Sequence, residues 1–427
     1  MKFSIITLGC KVNSCESAAI SNAFTAAGYE QAEESQPADV YVINSCAVTG
    51  TGVKKARQSV SHCRAENPQA VVVLCGCYPQ AYPEEAQSDT VADIITGNVN
   101  KAELPALVTK FLTERRRIAE VLPLSREFDE NGSAADLDRT RAFIKIEDGC
   151  DRFCTYCIIP TARGRVRSRT PQEIARQAEQ SAAAGNREIV LTGINIGCYG
   201  EDIGCTTADA VRAAQVPGIE RVRLGSLEAD TLTDEEIARL RGCEKLCPHF
   251  HLSLQSGSDT VLQRMKRRYT CAEYEAVVEK LRRAFPGCAV TTDIMVGFPG
   301  ETEEEFAESM AFAEKIGFAK IHVFPYSIRK GTIAAMRQNQ IPPQIKSRRA
   351  KEMNVFAAEQ EQKFLSEQVG MVQTVLIEKK TSPDYCNGFT GSYIPVRIYG
   401  KEIPRHSLVQ VKITEARGNY CVGTTEI

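Results

Sequence analysis

No stretch of about twenty consecutive apolar residues occurs in this 427-residue sequence, which excludes an ordinary membrane-spanning helix. The N-terminus also reads as a poor secretory signal. The opening MKFSIITLGCKVN offers only a short apolar run containing a cysteine, and no small-residue cleavage site follows. The expected compartment is therefore the cytoplasm. Charge of one sign is not in excess either. A formal net charge of −2 excludes a uniformly basic polyanion binder, although a local basic strip on such a chain still binds phosphates. Nothing in the composition suggests large-scale disorder. With 43% hydrophobic residues, the chain is long enough for two or three separate cores.

What is plentiful is cysteine. Seventeen thiols in a reducing compartment argue against a disulfide framework, and an odd number fits complete pairing badly. Metal binding, redox chemistry or burial remain. Cys63, Cys243, Cys271 and Cys288 lie in apolar or helical contexts and read as packing residues.

Along the first hundred residues, short apolar runs at 3–8, 40–43, 71–74 and 94–95 alternate with helical patterns such as 14–27 and 53–64. This rhythm predicts a parallel sheet with flanking helices. Three of its strands run into cysteines, at Cys10, at Cys46 and at the pair Cys75 and Cys77. Loops after the C-terminal ends of parallel strands converge on a crevice, so separated cysteines can meet there. A polar stretch over 125–139 reads as a linker. A second α/β block follows, with strands expected near 142–146, 188–191, 221–224, 249–254, 289–295 and 319–324. About six β/α units make a partial barrel rather than a full one of eight. A charged helix over 344–368 closes the block. The tail from 371 is rich in Val, Thr, Ile, Tyr and Gly in alternating runs, which predicts a small β-barrel.

The segment CDRFCTYC places Cys150, Cys154 and Cys157 within eight residues, directly after a predicted strand. Three thiolates hold three irons of a cubane and leave the fourth open to an outside ligand. A closed structural zinc site wants a fourth Cys or His, and none follows at suitable spacing.

The CxxxCxYC spacing resembles that of the radical S-adenosylmethionine (SAM) superfamily. There SAM binds the fourth iron of a 4Fe–4S cluster and is split to a 5′-deoxyadenosyl radical. The resemblance implies that Tyr156 lies near the adenine of SAM; packing is its plainer role. It extends to nearly the whole chain. TLGCKVN (7–13), NSCAVT (44–49) and GCY (76–78) look like the N-terminal domain of the methylthiotransferases. TGINIG (192–197), HLSLQSGSD (251–259) and TDIMVGFPGET (292–302) are similar to their radical SAM core, and the tail to a TRAM domain, a small RNA-binding barrel.

The expected architecture is thus α/β throughout most of the chain. Residues 1–115 form an N-terminal parallel α/β sandwich, 136–366 a partial (β/α)6 radical SAM barrel and 367–427 a TRAM-like barrel. The resemblance further implies a second 4Fe–4S cluster on Cys10, Cys46 and Cys77, with Cys75 and Cys15 as extra thiols outside the family pattern. Gly193, Asn195, Glu228 and Gln255, beside predicted strand ends, are the candidate SAM contacts, with turn or cap roles as the alternative.

Three methylthiotransferase groups differ in substrate. Two act on a tRNA adenosine next to the anticodon, and one on a ribosomal-protein aspartate. Lys11-Val12-Asn13 resembles the group acting on N6-threonylcarbamoyladenosine, whereas the isopentenyl-type group shows Gln-Met-Asn and the ribosomal-protein group Pro-Lys-Asn. A non-catalytic iron–sulfur RNA-binding protein is the alternative of a different class. tRNA is therefore the expected partner, together with an electron donor and a sulfur donor. Arg163, Arg165, Arg167 and Arg169 alternate after the cluster loop. If extended, they share one face and follow a phosphate backbone. Arg264, Lys266, Arg267 and Arg268 add a second basic cluster.

Overall fold

The computed structural model describes residues 1–33, 36–88, 90–130, 140–378, 382, 384–400 and 402–426. Most of the expected linker, from 131 to 139, lies outside them.

The N-terminal sheet is parallel throughout, in the order Glu30–Gln31, Lys2–Thr7, Val40–Ser45, Val71–Gly76, Ile94–Thr96, Ile118–Glu120. Its two central strands, VYVINS and VVVLCG, are buried at every position. β-branched residues favour the extended chain, and helices cover both faces, so these strands show no polar alternation. Helices Lys11–Ala26 and Gly50–Glu66 begin three residues before the expected positions. In the second, the Thr49 hydroxyl caps the Gly52 N–H. Ile118–Glu120 and Glu30–Gln31 were too short and polar to be anticipated. The former carries the sheet past residue 115, where the N-terminal unit was expected to end.

The central block is a partial barrel. One parallel sheet runs Arg221–Leu224, Glu188–Thr192, Arg141–Lys145, and the other Ser226–Leu227, His249–Leu252, Ala289–Val296, Lys320–Pro325. The strands at 141–145 and 320–325 are its two free edges. Ala142 and Ile144 belong to the apolar core, so Arg141, Phe143 and Lys145 face the other way, into the lumen. The long helix Pro343–Ser366 lies against the far edge, where Lys320 Nζ reaches Glu361 at 2.9 Å.

The tail forms a closed barrel in the order Val372–Ile377, Tyr385–Thr390, Pro395–Tyr399, Tyr420–Thr424, Leu408–Arg417. It seals the N-terminal end of the larger barrel. Arg221 donates to the carbonyls of Phe389 and Thr374, Arg223 to those of Gly391 and Thr390, and Arg141 pairs with Glu378 at 2.8 Å. The opposite end, where the strands finish, stays available for chemistry. Among the described residues no helix is long and apolar enough to cross a membrane.

Candidate active site

Cys150, Cys154 and Cys157 sit on one tight loop at the C-terminal end of the first barrel strand. The loop is pinned by Cys150 N–H to Gly164 O at 2.9 Å and Cys157 N–H to Cys154 O at 3.0 Å. Gly149 enters it with φ +91°, and a Cβ there would stand 1.9 Å from Arg165 O. Gly149→Ala is therefore expected to displace Cys150, lower folding stability by more than about 1 kcal/mol and prevent most iron loading on this loop. Iron content and cluster absorbance after anaerobic reconstitution check it.

The three thiols lie close enough to act on one another electrostatically. Burial pushes Cys150 up to about 11 and Cys157 to about 12, so both keep their protons near neutrality unless a cation replaces them. Polar donors surround the group. Asn195 Nδ2 lies 3.2 Å from Cys198 Sγ and 3.9 Å from Cys150 Sγ, while its buried Oδ1 has no hydrogen-bond partner. Arg267 Nη1 points at Cys154 Sγ from 3.4 Å. A site with orphaned buried polar atoms and half-buried thiols suits an iron–sulfur group with an outside ligand.

A second trio forms at the C-terminal ends of the N-terminal strands. Gly9, at φ +119°, brings the first loop against the second; its Cβ would lie 3.0 Å from Cys46 Cβ and 3.3 Å from Cys46 Sγ. Cys10 and Cys46 each feel the charge of Cys77. Enclosure raises Cys10 against the opposing charge of Arg163, and burial pushes Cys46 to about 11. Cys75 does not join them. It is fully buried in the apolar layer on the sheet's other side, with its thiol pushed to about 12 by burial. Cys15 is buried too, donating to Phe143 O at 3.4 Å.

One buried charge network lies beside the second trio. Arg163, wholly buried, sends Nε to Cys77 Sγ at 3.2 Å, Nη2 to Asn13 Oδ1 at 3.1 Å, and also contacts Glu16. Glu16 further pairs with Lys101 and Lys145, and Asp148 with Lys145, Arg163 and Arg167. Burial pushes Glu16 up, yet the charges of Arg163, Lys101 and Lys145 hold it well below the carboxylate range. Four cations against two carboxylates leave a positive surplus beside Cys77. Asn98 Nδ2 adds a donor to the same sulfur at 3.6 Å. That surplus fits a group carrying several thiolates. Among the described residues no set of three His, Cys, Asp or Glu side chains is grouped as a single-ion site. A cubane spreads its thiolates over three irons, so it asks for a different geometry.

The remaining candidates gather at the strand ends near the first trio. Tyr156 is half-buried against Phe298, with ring centres 6.4 Å apart, and lies near Cys154, Cys157 and Glu228. Glu228 is held by Arg267, whose Nη2 also donates to Ser253 O at 3.0 Å and Tyr269 Oη at 2.8 Å. Gln255 sits at φ +69°, its N–H bonded to Asp293 O at 2.8 Å. At Gly193 the close neighbour is protein: a Cβ would lie 2.7 Å from Glu147 Oε2, which accepts the Asn195 N–H at 2.7 Å.

Burial pushes Glu147 to about 8. A carboxyl raised on folding favours the native state fully below its ordinary pKa, and that contribution disappears as pH climbs through about 8. Wild-type stability should thus fall by a few kcal/mol between about pH 5 and about pH 9. Glu147→Gln should flatten that dependence, read as unfolding midpoints across the range.

The arginine strip is not a strip. The segment turns through helix Ile159–Arg163 and the two-residue strand Arg167–Ser168, instead of running extended. Arg163, Arg167 and Arg169 are buried and committed: Arg163 to Glu16 and Cys77, Arg167 to Asp148, and Arg169 to Glu130 at 2.9 Å. Only Arg165 is exposed, paired with Asp151 at 2.8 Å and lying over the Phe153 ring at 4.8 Å. The expectation of a shared phosphate-binding face is corrected accordingly. In the second cluster, Arg264 is tied to Glu305 and Arg267 to Glu228, while Lys266 and Arg268 stay exposed. Arg163, Arg267, Glu16 and Asn98 escaped the sequence reading as members of the site. Basic clusters look alike in sequence whether they face water or a buried acid.

Residues 144–313 match the family described as Radical SAM superfamily, and residues 2–97 the one described as Uncharacterized protein family UPF0004. The Bacillus subtilis (strain 168) protein named threonylcarbamoyladenosine tRNA methylthiotransferase MtaB is 41% identical over 426 residues, covering 98% of this chain and 94% of that protein. The protein of the same name from Aquifex aeolicus (strain VF5) is 36% identical, over 97% of this chain and 100% of its own. A tRNA-2-methylthio-N(6)-dimethylallyladenosine synthase from Oceanobacillus iheyensis is 34% identical, over 97% and 82%. Among solved structures, the radical SAM methyltransferase TsrM from Kitasatospora setae aligns with a TM-score of 0.56 at 14% identity, covering 78% of this chain and 77% of that one. At that identity the likeness concerns the fold.

Proposed function

This chain belongs to the methylthiotransferase family of radical SAM enzymes, and on that premise we propose that it replaces the C2 hydrogen of N6-threonylcarbamoyladenosine, next to the anticodon of tRNA, with a methylthio group. The observation that carries the reading is the adjacency of the two thiol trios. The loop bearing Cys150, Cys154 and Cys157 continues within six residues to Arg163, whose guanidinium touches Cys77 of the other trio. One site to activate an inert C–H and another to deliver sulfur have to face the same carbon, and this segment couples them.

In this reading Cys150, Cys154 and Cys157 hold the 4Fe–4S cluster that binds SAM, and Cys10, Cys46 and Cys77 hold a second. When bound, these groups supply a radical oxidant for the unactivated C–H bond and sulfur for the product. The chain's own residues position and shield. Asn195 and Arg267 donate hydrogen bonds toward the first sulfurs, and Arg163 and Asn98 toward Cys77. Tyr156, Asn195, Glu228 and Gln255 line the place for SAM, with Glu228 held as a fixed acceptor by Arg267, while Gly193 makes room for Glu147 behind them. Arg165 remains as a phosphate contact near the mouth. On the tail barrel, Arg397 stacks over Tyr420 at 3.7 Å and Tyr385 at 4.7 Å, beside exposed Tyr399. Such an aromatic and guanidinium surface suits RNA bases and backbone better than net charge alone.

The test is anaerobic reconstitution with SAM, a reductant and stem-loop RNA bearing threonylcarbamoyladenosine. The methylthiolated nucleoside and 5′-deoxyadenosine should form together. Product only from isopentenyladenosine RNA, or only from a ribosomal-protein peptide, would overturn the substrate assignment.

A further inference from the structure

Of the string Lys11-Val12-Asn13, two residues are internal. Val12 and Asn13 are each 1% exposed, and Asn13 is pinned through Nδ2 to Leu8 O at 2.9 Å and Ser45 O at 3.1 Å. Lys11 alone is exposed. Its helix lies along the free barrel edge, where Cys15 bonds Phe143 O, and its Nζ stands 5.9 Å from the centre of the Phe143 ring. Phe143 faces the lumen. The Lys11 charge is felt by His249, which also feels Arg223, His251 and His322. The ammonium therefore looks into the same concave space as the inward side chains of the strands opposite.

The acids bordering that space are already engaged. Glu188 pairs with Arg223 at 2.8 Å, Asp293 with His251 at 3.3 Å and Glu378 with Arg141 at 2.8 Å. Among the described residues the Lys11 ammonium makes no ion pair and no side-chain hydrogen bond. An unneutralised ammonium thus stands in the lumen, one residue after Cys10.

We propose that Lys11 binds the carboxylate of the threonylcarbamoyl group on the substrate adenosine, and so selects it against an uncharged N6 substituent. This rests on the functional reading above and names the residue that reads the substrate's charge. A charge-assisted hydrogen bond in a partly dry lumen favours the acid by about 10- to 100-fold. A neutral group leaves the ammonium desolvated and unpaired, which adds discrimination against it.

The test uses reconstituted holoenzyme and three stem-loop RNAs, identical except for an N6 threonylcarbamoyl group, its methyl ester, or an isopentenyl group. The wild type should favour the free acid over the ester by about 10- to 100-fold in both Kd and kcat/KM. Lys11→Gln should lose most of that ratio, chiefly in Kd and KM, and Lys11→Arg should restore it. A Lys11→Gln protein that carries its full iron and keeps the wild-type preference for the acid overturns the proposal. A wild type that acts on the isopentenyl RNA and not on the acid overturns the functional reading instead, whatever the variant does.

Discussion

Replacing Cys150, Cys154 and Cys157 together by alanine should remove roughly half of the bound iron and abolish SAM cleavage, while leaving the fold intact. The three thiols are half-buried on a loop held by backbone hydrogen bonds, so their loss opens no large cavity. Replacing Cys10, Cys46 and Cys77 should likewise remove roughly half of the iron, with a different outcome. The protein should still cut SAM to 5′-deoxyadenosine but release no methylthiolated product. Cys75→Ala is the control. Its thiol lies in the apolar layer, so the variant should lose about 1 kcal/mol of packing and keep both activities. Iron analysis and product quantification on the three proteins separate the roles. SAM cleavage surviving the first triple substitution contradicts the assignment of that loop.

The second large effect is expected at Arg163. Arg163→Met takes the cation from a wholly buried site and breaks its bonds to Glu16, Asp148 and Asn13, while Lys101, Lys145 and Arg167 still pair the two carboxylates, so folding stability should drop by roughly 1–3 kcal/mol. It also removes the N–H donor at 3.2 Å from Cys77 Sγ. Donors to a cluster sulfur stabilise the reduced, more negative state, so the second cluster should shift to a lower reduction potential. Chemical denaturation gives the first quantity and a redox titration followed by electron paramagnetic resonance the second. Arg165→Met, two residues on and exposed, should change stability by less than about 0.5 kcal/mol. Equal effects at the two positions would mean that the buried network does not hold the domains together.

That contrast marks where sequence reading stops. The placing of the thiols just after strands was legible because the constraint is local: a strand ends, and cysteines follow at once. Parallel strands and the closed tail barrel followed from apolar runs and turn residues for the same reason. The arginines were misread because their partners are remote. Glu16 lies 147 positions before Arg163, and nothing near either residue announces the pairing. Alternation predicts a shared face only for an extended chain, and helix Ile159–Arg163 followed by Gly164 at φ +78° breaks that premise. Arg267 went astray in the same way, placed among surface cations although it fastens Glu228 beside the cluster loop. Lys11 shows the converse. Its neighbours Val12 and Asn13 are internal, and only the fold reveals that this one side chain faces the lumen.

The most direct test of the account is the nucleoside profile of tRNA from cells lacking the gene, compared with cells carrying it. Loss of 2-methylthio-N6-threonylcarbamoyladenosine with a matching rise of N6-threonylcarbamoyladenosine is the predicted result, restored by the wild-type gene and not by the Cys150→Ala form. An unchanged level of the methylthiolated nucleoside, in cells with no second enzyme of this kind, would contradict it.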